Sequence, residues 1–124
     1  MSCAPQSRAR IAADAAAVFE RLAEEVGPFG VIALVVGTDG DTIDLCISAD
    51  DDAVEERSML LLDLYAGDAL AVVFATARAG LAIATPYERA RYRRLRAHGD
   101  VVDLPVLDWL ICTDGPTCSL ATPE

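Results

Sequence analysis

At 124 residues the chain has room for one compact domain with one core, since single domains commonly run to roughly 100–150 residues. Hydrophobic residues make up 53% of it, a share that excludes disorder, although alanine supplies much of the figure and buries little area per residue. Twenty acidic residues against ten basic ones leave a formal net charge of -10 at pH 7, which repels a phosphate backbone and disfavours nucleic acid as a partner.

After Ser7, a residue suited to N-capping, the apolar positions Ile11, Ala15, Val18, Phe19, Leu22 and Val26 recur at spacings of three and four. They predict an amphipathic helix filling an N-terminal segment, residues 1–28, stopped by Gly27 and Pro28. The run from Gly30 to Gly37 is continuously apolar and rich in β-branched residues, as a strand buried on both faces is. Thr38 to Asp41 reads as a hairpin turn, and Ile43, Leu45 and Ile47 then alternate with polar neighbours as a half-buried antiparallel partner. Asp50, Asp51 and Asp52 invite a metal-site reading, but adjacent carboxylates do not converge on a cation without a loop built to fold them inward. They read instead as the solvated start of a helix, from about Ala53 to Ala66, with Met59, Leu60, Leu62 and Leu64 toward the core and Gly67 ending it.

Ala69 to Thr76 is the next buried strand, and the loop ARAGLAIAT follows it. Pro86 then opens a helix that carries half of the ten arginines and ends at Gly99. Arg89, Arg93 and Arg96 share one face of it, with Arg91 and Arg94 beside them. This interaction face is expected to be solvated and to pair with neighbouring carboxylates rather than to hold a phosphate. Val106 to Thr113 forms another strand, Asp114-Gly115 turns the chain, and Thr117 to Ala121 returns along the edge. The order predicts an α/β (α+β) domain, a mixed sheet of about five strands flanked by three helices.

No apolar run reaches the roughly 18 residues of a membrane helix, and the start MSCAPQSRAR lacks the apolar core of a signal peptide. The expected address is therefore cytoplasmic, with no membrane partner. Cys3, Cys46, Cys112 and Cys118 form no CxxC pair and are expected as thiols. Cys46 and Cys112 read as small buried hydrophobes within strands, while Cys112 and Cys118 flank a turn and are placed to face each other across a hairpin.

The last forty residues carry a more specific pattern in Arg93-Arg94-Leu95, Leu104-Pro105-Val106-Leu107-Asp108-Trp109-Leu110-Ile111, Asp114-Gly115 and Ser119-Leu120. This resembles the C-terminal part of bacterial RadC proteins, members of the JAB/MPN metalloprotease-like superfamily. The resemblance extends from about Phe29 to Ala121 and marks residues 29–124 as a RadC-like domain of cytidine-deaminase-like/JAB-MPN architecture. It implies a His-x-His-Pro sequence at the end of the third strand and a Ser-x-x-Asp beyond it. In such a site two imidazoles and a carboxylate hold zinc, and the metal lowers the pKa of its bound water toward about 7.

Aligned on Thr85-Pro86, this chain reads Ala77-Arg78-Ala79-Gly80 and Tyr87-Glu88-Arg89-Ala90 at those places. The three ligand positions, Ala77, Ala79 and Ala90, are alanine, and Tyr87 replaces the serine. The resemblance also implies a glutamate from the first strand that shuttles the proton; it would fall near Pro28, which cannot replace it, with Glu24 and Glu25 preceding the strand on the helix. The resemblance therefore implies a pseudoenzyme with no catalytic residue, metal or other cofactor of its own, acting through a protein partner or self-association, for which a homodimer is a natural form. Two alternatives stand beside it. One is a metal-dependent hydrolase of peptidase or isopeptidase type with a relocated site drawn from Asp50, Asp51, Asp52, Asp100, Asp103, His98 and Cys112. The other is a DNA-repair-associated nucleic-acid binder using Arg89, Arg93 and Arg96.

Overall fold

A computed structural model of the chain describes residues 5–38, 42–48 and 51–121. Cys3, Asp50 and the turn residues 39–41 lie outside the described residues, as do the side chains of Ser7, Cys46, Asp51 and Asp52. Helix α1 (Pro5–Val26) leads into strands β1 (Phe29–Gly37) and β2 (Thr42–Ser48), then helix α2 (Asp51–Tyr65) and strand β3 (Ala69–Ala77). Helix α3 (Pro86–Val101) and strand β4 (Val106–Cys112) complete the main elements. The fold is α+β, with three helices and a mixed sheet of four long strands in the order β2-β1-β3-β4. β1 pairs antiparallel with both neighbours, and β3 and β4 run parallel, joined by the α3 crossover that a parallel pair requires. The edge return is shorter than the sequence suggested: only β5 (Cys118–Ser119) pairs with β4, opposite Ile111 and Leu110.

Side chains alternate across a strand, so the central β3 feeds two cores at once. Val72 and Phe74 join Val54, Leu62, Leu95 and Trp109 beneath α2 and α3, whereas Val73, Ala75 and Ala77 meet Ala15 and Phe19 of α1 on the other face. Phe74 and Trp109 stack with ring centroids 5.1 Å apart. Tyr92 lies in the α2–α3 core with its hydroxyl donating to the Leu107 carbonyl at 3.4 Å; burial pushes its pKa up to about 12 and keeps it neutral.

Several expectations drawn from periodicity shift by a residue or a face. α1 begins at Pro5, so Ser7 is inside the helix and does not cap it. Ala15 and Phe19 are buried, but Val18 and Val26, expected on the same stripe, are exposed. In α2, which starts at Asp51 and ends at Tyr65, the inward residues are Val54, Ser58, Leu61 and Leu62, while Leu60 and Leu64 face solvent. An unbroken run of leucines has no phase of its own, and the buried Val54 and Ser58 set it.

α3 does not end at Gly99 but runs on to Val101, and Asp103 takes the left-handed backbone conformation at φ 59°. Gly99 is there because the chain returns over it. A Cβ at that position would stand 2.5 Å from the Leu104 carbonyl oxygen. No helix among the described residues is long and apolar enough to cross a membrane.

Candidate functional site

The segments that the resemblance singles out meet where β3 gives way to α3. Thr85 is the N-cap of α3: its hydroxyl accepts from the Glu88 backbone N–H at 3.1 Å, and the Glu88 carboxylate accepts from the Thr85 N–H at 2.9 Å. This reciprocal capping box, with Pro86 in the first helical turn, satisfies donors that a helix start otherwise leaves open.

The same carboxylate reaches back to the strand end. Arg78 donates from Nη1 to Glu88 Oε2 at 2.8 Å and from Nη2 to Oε1 at 3.2 Å, and its Nη2 also donates to the Ile83 carbonyl. Burial by itself raises the Glu88 carboxyl, but Arg78 and the Thr85 N–H outweigh it and hold the group below the usual carboxylate range. The ARAGLAIAT loop is thus fastened from within, with Ala84 in the core and Leu81 and Ile83 exposed.

Beside this junction is a cleft of about 510 Å³ between the end of α1, the end of β3 and the turn after β4. Glu24, Pro28, Ala77 and Arg78 line it, so the structure does bring together Ala77 and the residues nearest the expected glutamate position. The other positions that the resemblance aligned with the motif are elsewhere: Ala79 is exposed in the loop, Tyr87 is exposed on α3, and Ala90 is half-buried on the same helix. None of them lines the cleft.

Ala77, Ala79 and Ala90 end in methyl groups and offer no lone pair. Among the described residues, no group of three or more His, Cys, Asp or Glu side chains stands where it could hold a metal ion. The residues present therefore do not fit a zinc ion held in the manner the resemblance implies. Cys112 lies in the wall of the cleft, where burial and then the nearby Glu20 push its thiol pKa up. A thiol shifted this way is less nucleophilic at neutral pH, as a buried structural cysteine is.

Of the relocated-site candidates, His98, Asp100, Asp103 and Cys112 do not come together, and Asp50 and the side chains of Asp51 and Asp52 lie outside the described residues. His98 Nε2 is 2.7 Å from Asp63 Oδ1 on the α2–α3 side of the sheet, whereas Cys112 belongs to the core on the α1 side. Asp100 and Asp103 are exposed around the end of α3. Cys112 and Cys118 do not face each other across a hairpin: Ile111 is the residue opposite Cys118. Because side chains alternate, Cys112 falls on the α1 face and Cys118 packs against the other core. A one-residue difference in register decides the matter.

The arginine face also divides. Arg93 and Arg96 are exposed and Arg89 is half-buried. Arg94 pairs with Glu55 of α2 through bonds of 2.9 and 2.6 Å, and that pairing holds the Glu55 carboxyl below its usual range. Arg91, expected beside the exposed stripe, is instead buried, its guanidinium 4.5 Å from the Trp109 ring centroid and 5.7 Å from that of Tyr87. The reason is helical phase: Tyr87, Arg91, Arg94 and His98, at spacings of four, three and four, lie along the flank next to α2. Sequence reasoning missed this arginine, and it also missed the capping role of Glu88, although Thr85-Pro86-Tyr87-Glu88 carries the capping-box spacing.

Two residues of the C-terminal pattern do come together. Asp108 is buried and accepts from the Ser119 hydroxyl at 2.5 Å, from the Trp109 N–H at 2.7 Å and from the Ala121 N–H at 3.0 Å. The chain matched no protein-family model, no curated protein and no solved structure when compared with them.

Proposed function

We propose that the chain is a catalytically inert RadC-like JAB/MPN module that works as a protein-interaction or structural part. The observation that carries the reading is the Arg78–Glu88 ion pair. It links the end of β3 to the first turn of α3, the two segments that a metal would join in the related enzymes. Alanine at the three aligned positions offers no donor, and Arg78, between Ala77 and Ala79 in the chain, carries a positive charge that Glu88 pairs. The Asp108–Ser119 bond between two residues of the C-terminal pattern supports the same reading.

Protein purified without chelator and analysed by plasma mass spectrometry tests the inert reading directly. It is expected to carry no stoichiometric zinc or manganese, and finding either at one per chain would sink it. A second variant tests the correspondence of positions: Ala77→His, Ala79→His and Ala90→Asp combined should gain zinc binding. A folded triple variant that gains none would break the alignment with the family motif.

A further inference from the structure

The sheet ends differently at its two sides. β4 is followed by the two-residue β5, whereas β2 is a full strand of seven residues, Thr42–Ser48, and among the described residues it pairs with β1 alone. A strand at the edge of a sheet offers a row of backbone N–H and C=O groups to a further strand, and proteins commonly block that row with lysine, proline or a very short strand. The stretch TIDLCIS has none of these and holds one charged residue, Asp44.

The order of residues in β2 selects the strand that fits it. A two-fold axis normal to the sheet makes an antiparallel pair and keeps each face of the sheet on its own side, so one residue at the centre meets its own copy. Centred on Leu45, all seven residues pair: Thr42 meets Ser48, Ile43 meets Ile47 and Asp44 meets Cys46. Polar ends meet polar ends and isoleucine meets isoleucine, so the segment is close to its own complement. Centred on Asp44, the same strand would set its one charge against itself.

The helix beside this edge points to the same partner. α3 packs on β4 and α2 lies next to α3, so the flank of α2 turned away from α3 looks out past β2. Glu55 and Asp63, which bond Arg94 and His98, mark the α3 side of α2, and Val54, Ser58, Leu61 and Leu62 mark its inner side. At about 100° per residue, Leu64 falls on the opposite flank, and Leu60 falls between that flank and the outer side, where it also borders the α2–α3 groove. Leu64 is 73% exposed.

We propose that β2 of two copies of this chain pair antiparallel about Leu45, joining their sheets into one, with Leu64 of the two α2 helices meeting beside the seam. β2 and α2 are each roughly 23 Å long, so the strand and the helix flank cover the same stretch. A seam of that length, one sheet and one helix deep, buries on the order of 400 Å² per copy, about half of a standard interface, so the dimer is concentration-dependent. The proposal names a partner for the interaction module and rests on that reading for its role. Stoichiometric zinc would overturn the inert reading and leave the seam standing, whereas a monomer would do the reverse.

The experiment is sedimentation equilibrium of the full chain from about 1 to about 500 µM at low and high salt, with amide hydrogen exchange at both ends of that concentration range. The mass is expected to rise from 13.1 kDa toward twice that value, more so at high salt, because two copies of net charge -10 repel each other. At the high concentration alternate N–H groups along Thr42–Ser48 should become protected, since only every second one points away from β1. Leu64→Asp should weaken the dimer at least about tenfold, the fold-change of roughly 1.4 kcal/mol. Thr42→Lys with Ser48→Glu should dimerise at least as well as wild type, whereas Thr42→Lys with Ser48→Lys should weaken the dimer although it lowers the net negative charge. A wild type that stays monomeric throughout overturns the proposal, as does a dimer whose β2 amides gain no protection, or one in which the two paired variants behave alike. A monomer whose β2 amides are protected only by an added extended peptide of alternating threonine and valine assigns the edge to a foreign strand and overturns the two-copy seam.

Discussion

The guanidinium of Arg91 lies 4.5 Å from the centroid of the Trp109 ring, inside the core rather than over its surface. Arg91 is 4% exposed, its Nε has no hydrogen-bond partner among the described residues, and Trp109 in turn stacks on Phe74. A charge in this position loses its hydration and gains a ring face in return, worth roughly 0.5–2 kcal/mol. Desolvation of an ion costs several kcal/mol, so the ring alone does not offset it. What remains in favour of arginine is its attraction to the Glu55 carboxylate and the volume that its stem and planar head fill between Tyr87 and Trp109.

Arg91→Met should therefore leave stability unchanged or raise it, since methionine keeps most of that volume and removes the buried charge. Arg91→Ala should lower it by roughly 2–4 kcal/mol through the space left against Trp109. Urea unfolding followed by tryptophan fluorescence separates the two. Equal losses in both variants would mean that the charge on the ring, not the volume, holds this part of the core.

Asp108 joins β4 to the short return that follows it, and the three donors it satisfies are two backbone N–H groups and the Ser119 hydroxyl. Hydrogen bonds to a charged acceptor contribute about 1.5–3 kcal/mol, more than neutral ones. Ser119→Ala should cost about 1.5 kcal/mol, and Asp108→Ala should cost more because it strands both N–H groups. In a double-mutant cycle the two changes should cost clearly less together than the sum of their separate costs. Strict additivity would show that the 2.5 Å contact adds nothing to stability.

Gly99 shows why the close packing of a helix is hard to see from its residues. A glycine after an arginine-rich helical run reads as a stop, yet here it is the point where α3 lets Leu104 and Val106 pass against it. In an ordinary helix interior Gly→Ala gains about 1 kcal/mol of propensity. Gly99→Ala should instead destabilise by more than about 2 kcal/mol, because the new Cβ would meet the Leu104 carbonyl oxygen at 2.5 Å and that atom belongs to the backbone. A thermal midpoint equal to or above wild type would show that the loop can move aside.

The strands and helices were readable because β-branched runs such as Val31 to Val36 and the signals at Gly27 and Pro86 act locally. The faces of α1 and α2 were less readable, since Val18, Leu60 and Leu64 are apolar and yet exposed, and hydrophobicity alone does not say which of several leucines is inward. The cysteine pair and Arg91 were misplaced for a related reason. Register across β4 and β5, and the approach of α2 to α3, are set by contacts between distant parts of the chain. At the β3–α3 junction the Arg78–Glu88 link was not legible, because only the fold brings those two side chains to 2.8 Å.

That link makes stability depend on pH in a definite direction. The folded-state pKa of Glu88 is held below the ordinary glutamate value of about 4.3, so the unfolded chain binds the proton more readily. Its contribution is fully present above that ordinary value and is lost as pH falls through the lower folded value. Wild-type stability should therefore decline below about pH 4.3, and Glu88→Gln, which cannot titrate, should lose stability at pH 7 and follow a shallower course below it. Arg78→Met should flatten the curve in part, because the Thr85 N–H still favours the charged carboxylate. Chemical denaturation of the three proteins between pH 3 and pH 7 measures the difference. A Glu88→Gln curve parallel to wild type through that range would show that the ion pair does not couple folding to the proton.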